Sequence, residues 1–383
     1  MKKISREFQV FVKPVGARCN LNCNYCYYLE KDDLYPEKEH FLMTDDILEK
    51  YIIQHIDAST EDIIHFSWHG GEPLLAGIDF YQKALKIQKA NKPEAKTILN
   101  GIQTNGTLLN REWCRFLDDN GFVVGISIDG PAELHDRFRL TKNAKGTWEQ
   151  VNIGIQLLKE HHLIPEILCV VNSENVKYPR VVFDYFKLLG TKYITFIPLV
   201  IPETKSPSGV SKSTIPAEDF GHFLVEIFDE WVENDIGNIK VQIFEEAIRS
   251  AFNQEHTLCI FKVNCGGVPV VEHNGDFYSC DHYVDSDHLL GNISDNSLSF
   301  YLDNKLQKEF GMAKSVTLPE YCTGCEVRAM CNGECPKNRF IFTPEGEYGL
   351  NYLCKGYKYF FNHCRPFVEA VAEAWKRNNL LQK

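Results

Sequence analysis

Cys19, Cys23 and Cys26 form a C-x3-C-x2-C run within "VKPVGARCNLNCNYCYY". Thiolates are strong metal ligands, and three at this spacing can hold one centre from a single loop. A structural zinc takes four protein ligands, yet no fourth cysteine or histidine stands close by. A [4Fe–4S] cube held by three thiolates instead leaves one iron open to an exchangeable ligand. Two further groups follow: Cys259, Cys265 and Cys280, then Cys322, Cys325, Cys331 and Cys335 in "CTGCEVRAMCNGEC", with Cys354 after a gap. These eight divide into two four-thiolate sites. Their x2, x5, x3 spacing is like ferredoxin runs, in which the last cysteine can serve a different cluster. Four-cysteine zinc sites use the same C-x2-C pairs, so spacing alone leaves zinc open. The N-terminal trio tilts the reading towards iron–sulfur. Cys114 in "REWCRFL" and Cys169 in "EILCVV" read as buried, unreactive thiols, and Cys364 has no assigned role.

The elements that must position these loops alternate. Apolar strands are expected at 8–13, 62–70, 96–106, 122–130, 165–172 and 193–200. Helices are expected at 44–56 with Thr44 as N-cap, 78–90, 111–119, 147–161 and 178–189. Six β/α units imply a parallel sheet with right-handed crossovers. They fall short of the eight that close a TIM barrel, so an α/β, partial (β/α)6 barrel is expected, with function at the C-terminal strand ends. The cysteine loop and the "GGEP", "QTNG" and "SIDGP" turns lie there. Residues 201–216, "IPETKSPSGVSKSTIP", read as a linker or mobile loop. The chain divides as 1–235, the barrel with its linker, and 236–383, a cysteine-rich domain folded around metal sites with a final helix near 355–378.

Composition is that of a folded soluble protein, with 44% hydrophobic and 24% charged residues. The N-terminus lacks the apolar segment of a secretory signal. No apolar run approaches the roughly 20 residues of a membrane span. The expected location is the cytoplasm, where clustered thiols favour metal over disulfides. A net charge of −11 argues against nucleic acid.

The C-x3-C-x2-C motif with an aromatic before its last cysteine (Tyr25) resembles the radical S-adenosylmethionine superfamily. "GGEP" (Gly70, Gly71, Glu72) is similar to that family's second-strand motif, whose backbone holds the cofactor's amino group. "QTNGT" and "SIDGP" match its later turns, which implies that Gln103 and Ser127 contact the cofactor and Asn105 supports it. Arg139 is counted with this set. The second half resembles the SPASM extension with two auxiliary [4Fe–4S] clusters. The additional Cys265, with "YSCDHYV", "CNGECPKNRF" and "GLNYLCKGY", is similar to the anaerobic sulfatase-maturating branch. By that resemblance Cys259, Cys265, Cys280 and Cys335 hold the first auxiliary cluster, and Cys322, Cys325, Cys331 and Cys354 the second. The likeness covers about residues 8 to 365.

The resemblance implies oxidation of a Cys or Ser in a sulfatase polypeptide (C/S-x-P/A-x-R) to Cα-formylglycine. A reduced cluster cleaves S-adenosylmethionine, and a 5′-deoxyadenosyl radical takes hydrogen from the target Cβ. The protein's share is positioning and exclusion of side reactions. Asp281, after Cys280, matches the family's base; Tyr28 and His69 would line the substrate cavity. The implied partners are an unfolded or nascent sulfatase and an electron donor such as flavodoxin or ferredoxin, with no nucleic acid, no membrane and a monomeric enzyme. One rival is a SPASM enzyme that cross-links or epimerises a ribosomal peptide. Many of those carry an added N-terminal recognition domain, for which a first strand beginning by residue 8 leaves no room. The other rival is a zinc-stabilised binding scaffold without catalysis.

Overall fold

The computed structural model describes residues 7–35 and 41–380. The chain divides into two compact units. The first comprises Met1–Ser127, His135–Pro165 and Gly266–Met312, the second Ile128–Leu134, Glu166–Cys265 and Ala313–Lys383.

In the first unit β1 (Phe11–Val12), β2 (Ile63–Trp68), β3 (Thr97–Thr104) and β4 (Val123–Ser127) pair in parallel. In the second unit β5 (Glu166–Val171), β6 (Tyr193–Pro198) and β7 (Lys240–Val241) do the same. All six expected strands form, and helices Asp45–Ala58, Ile78–Asn91, Arg111–Asp119, Trp148–Glu160 and Pro179–Leu188 separate them. Phe66 and Trp68 of β2 are fully buried, as near-continuous apolar strands of a covered parallel sheet should be. Thr44 caps the first helix as expected, its hydroxyl accepting from Ile47 N at 3.3 Å.

The first unit's sheet continues beyond the β/α series. β8 (Val270–Val271) runs parallel to β1, and antiparallel β9 (Asp276–Tyr278) and β10 (Leu289–Asn292) follow it. This extension carries Cys280 just past β9. It thereby puts a late segment of the sequence beside the cysteine loop that leaves β1.

In the second unit the helices Ala217–Asn234 and Cys354–Leu380 pack closely enough that a Cβ on Gly356 would stand 2.0 Å from the Ala217 carbonyl oxygen. Only glycine admits that approach, and it fixes the helix start that bears Cys354. The hairpin β11 (Arg339–Phe342) and β12 (Tyr348–Asn351) precedes that helix.

The 201–216 segment differs from a linker. Ser211 N donates to Ile201 O at 2.9 Å, Ile215 N to Leu199 O at 3.0 Å and Ser173 N to Ser213 O at 3.1 Å. Val210 and Ile215 are buried. Its turn-forming composition builds an ordered loop anchored by two apolar side chains.

Candidate active site and cluster-binding residues

The cysteine loop is clamped from below by the second-strand turn. Gly71 N donates to Gly16 O at 2.9 Å and Glu72 N to Arg18 O at 2.8 Å. A Cβ on Gly71 would lie 2.0 Å from the Arg18 carbonyl oxygen. Glu72 is wholly buried. Its carboxylate accepts from Leu74 N (3.0 Å), the Thr104 hydroxyl (2.7 Å) and Asn105 N (2.8 Å). Burial outweighs these bonds and pushes the carboxyl up to about 7. Glu72 therefore locks the end of β3 to the turn after β2. Asn105, so held, donates to Asn20 Oδ1 at 2.9 Å and to Cys19 Sγ at 3.7 Å.

Burial pushes the Cys19 thiol up to about 12, a tendency opposed by a bond from Leu21 N and reinforced by the nearby Glu72, Cys23 and Cys26. The three thiols thus share one neighbourhood, and amide donors aim at a sulfur, which suits a thiolate ligand. Gln103 donates to Ser127 at 3.1 Å. Arg139 is 6% exposed and lays its guanidinium over Tyr25, 5.5 Å from the ring centroid.

Asp281 meets Lys13 Nζ at 2.5 Å and accepts from the Tyr27 hydroxyl. Burial alone would raise its pKa. The Lys13 charge, His282 and the bonds from Lys13 and Tyr27 overrule it and hold the carboxyl well below the usual carboxylate range. Tyr28 is buried, donates to Glu272 and carries Lys13 Nζ over its ring at 4.2 Å. His69 stacks on Phe11 with centroids 4.0 Å apart. Burial, then Lys13, lowers its imidazole to about 3, partly countered by Asp281. Asp281, Tyr28 and His69 are thus gathered around Lys13. The sequence reading missed Lys13, Tyr27 and Glu272. A lysine ending an apolar strand and an acid inside "VPVVEHN" were the available signals.

In the second unit Cys322, Cys325, Cys331 and Cys354 line one small cavity of about 20 Å³, with Arg328 and Lys358 on its walls. Cys259, Cys265 and Cys335 share the electrostatic surroundings of Lys314. Cys280 belongs to the first unit, where it neighbours Tyr27. Cys114, Cys169 and Cys364 are all fully buried, and Asn175 donates to Cys169 Sγ at 3.8 Å.

Residues 14–184 match the radical SAM superfamily and residues 259–326 an iron–sulfur cluster-binding SPASM domain. The fold and cysteine sites therefore define a radical S-adenosylmethionine enzyme: a partial (β/α)6 barrel followed by an iron–sulfur domain. Its cofactors are S-adenosylmethionine and [4Fe–4S] clusters. A serine-type anaerobic sulfatase-maturating enzyme of Bacteroides thetaiotaomicron is 43% identical over 95% of this chain and 91% of its own. A cysteine-type enzyme of Clostridium perfringens is 31% identical over 95% and 98%. Native anSMEcpe, solved with bound AdoMet and the Kp18Cys peptide, superposes with a TM-score of 0.86 at 30% identity, covering 96% of this chain and 100% of that one. The chain belongs to the anaerobic sulfatase-maturating enzymes. Among the described residues no helix is long and apolar enough to cross a membrane.

Proposed function

We propose that this enzyme oxidises a Cys or Ser in a C/S-x-P/A-x-R segment of an unfolded or nascent sulfatase to Cα-formylglycine, with Asp281 as the base. The observation that carries the reading is the placement of Asp281, held by Lys13 and Tyr27 and following directly on Cys280. When bound on Cys19, Cys23 and Cys26, the cluster with S-adenosylmethionine supplies the radical that removes hydrogen from the target Cβ.

The protein's own residues do the rest. A cofactor ammonium donates, so it needs acceptors. The amides of Gly71 and Glu72 already serve the cysteine loop, which leaves the carbonyls of the turn for that task. Gln103, Ser127, Asn105, Tyr25 and Arg139 complete the cofactor wall. The target thiol or hydroxyl gives its proton to Asp281, in place of the Tyr27 donor. Tyr28 and His69 shape the wall around it. Cys259, Cys265, Cys280 and Cys335 would hold one auxiliary cluster and Cys322, Cys325, Cys331 and Cys354 the other. The shared cavity supports the second set, and the shared surroundings of Lys314 support Cys259, Cys265 and Cys335 of the first. The barrel would run to residue 235 and the auxiliary domain from 236. A cytoplasmic monomer drawing electrons from flavodoxin or ferredoxin completes the reading.

The test is an anaerobic assay with S-adenosylmethionine, a reductant and peptides bearing C-x-P-x-R or S-x-P-x-R. Conversion of the thiol or alcohol to an aldehyde, seen by mass, together with 5′-deoxyadenosine is expected. Deoxyadenosine with both peptides unchanged points instead to a different peptide substrate.

A further inference from the structure

Two cations lie buried in the second unit with no carboxylate in ion-pair contact among the described residues. Lys314 is 0% exposed, and its ammonium donates to the carbonyls of Cys259 (3.1 Å) and Ile260 (2.7 Å). Arg339 is 9% exposed. It donates through Nε to Gly333 O (2.8 Å), through Nη1 to Lys314 O (2.6 Å) and through Nη2 to Asn332 O (3.0 Å) and Glu334 O (3.2 Å). Neither makes an ion pair among the described residues. Two carboxylates are buried in this region: Glu246 pairs with His256 (2.8 Å), and Glu334 accepts from Asn338 (3.1 Å) and Asn351 (2.5 Å). Two buried cations with no carboxylate in ion-pair contact are an expensive arrangement unless more negative charge arrives.

The thiols around them supply it. Cys265, Cys259, Cys335 and Glu334 are the electrostatic neighbours of Lys314, and Cys322, Cys265, Glu334 and Cys331 are those of Arg339. Arg339 also braces the loop between Cys331 and Cys335. Asn332, Gly333 and Glu334 all take positive φ (47°, 70° and 52°), and Arg339 binds all three of their carbonyls. Successive left-handed residues are costly outside glycine, so this grip keeps the two cysteines in place.

We propose that Lys314 and Arg339 are the internal counter-charges of the first auxiliary cluster, positioning residues that hold its thiolate loops and raise its affinity for an electron. This rests on the assignment of Cys259, Cys265 and Cys335, which share the second unit with both cations, to one cluster. A thiolate-ligated cluster is anionic and becomes more so on reduction, and local charge is among the determinants of its potential. Fixed cations favour the reduced form, which equips this centre to take the electron that product formation releases.

The test compares reconstituted full-length protein with Lys314→Met, Lys314→Arg, Arg339→Gln and Arg339→Lys. Iron per chain and reductive titrations followed by electron paramagnetic resonance are the readouts. With iron retained, Lys314→Met is expected to weaken electron affinity at one auxiliary centre at least about tenfold, which is about 59 mV for a one-electron couple. The N-terminal centre stays unchanged, and Lys314→Arg restores the potential. Unshifted potentials in an iron-replete Lys314→Met protein overturn the proposal. If Arg339→Gln and Arg339→Lys lose the same iron, Arg339 only braces the loop and its charge role falls. Cys265→Ala separates the layers: loss of one cluster's iron upholds the ligand set, whereas full iron content overturns that set and this proposal with it.

Discussion

Lys13 Nζ and Asp281 Oδ1 stand 2.5 Å apart, with side chains only 3% and 13% exposed. A buried pair of this kind is weak evidence for stability, since desolvation offsets much of the attraction. Its consequence is chemical: it keeps a carboxylate ionised in a place where burial would otherwise neutralise it.

Replacing one partner should therefore act on catalysis and leave cofactor cleavage standing. Asp281→Asn is expected to lower formylglycine yield by at least about 100-fold, the scale of general-base catalysis, while 5′-deoxyadenosine still forms. Lys13→Met should also lose product, by about tenfold or more. The double variant should be little worse than Asp281→Asn alone, because the two act as a unit. Quantifying both products by liquid chromatography and mass spectrometry checks this. Product formation that survives Asp281→Asn removes the base assignment.

Gly71→Ala should cost the N-terminal cluster. Its Cβ would meet the Arg18 carbonyl oxygen at 2.0 Å, the carbon at 2.4 Å and Ala17 O at 2.5 Å, all backbone that cannot swing aside. The cysteine loop must shift. We expect about four fewer irons per chain of a predicted twelve or so and no deoxyadenosine, measured by iron assay and chromatography.

Cys354→Ser should remove the centre that shares its cavity with Cys322, Cys325 and Cys331, again about four irons. Deoxyadenosine formation should persist, because the N-terminal loop belongs to the other unit. Zinc in place of iron in the parent protein would defeat the cluster reading as a whole.

Acid should weaken the fold through His55. Burial, aided by His65, lowers its imidazole from 6.5 to about 3. Below about pH 6.5 the unfolded chain gains a proton that the folded chain refuses, so stability falls as pH drops from there towards 3. The slope is about 1.4 kcal/mol per pH unit at most for this one group. The ring stacks on Phe66 at 4.5 Å, so His55→Phe keeps the packing and should flatten the slope. Anaerobic thermal melts of both proteins between pH 7.5 and 5.5 decide it. Parallel curves would place the acid sensitivity elsewhere.

Much of this molecule was legible in advance because its signals are local. A strand shows as an apolar run, a helix start shows as Thr44, and cluster loops show as cysteines a few residues apart. The order within 201–216 was not legible for a physical reason. Composition reports which residues form turns, but not whether Val210 and Ile215 find a core to enter.

The sequence by itself determined which side chains could ligate iron and the β/α order that carries them, since both depend on near neighbours. Only the tertiary structure decided what surrounds the chemistry. Tyr27 and Asp281 are 254 positions apart, Tyr28 and Glu272 are 244, and no periodicity links such pairs. They meet because β8 adds to the edge of β1 and carries the segment after β9 against the cysteine loop. In the same way, only folding buries Lys314 and Arg339 beside thiols. Charge acquires its meaning from burial and partners, and both are properties of the folded chain.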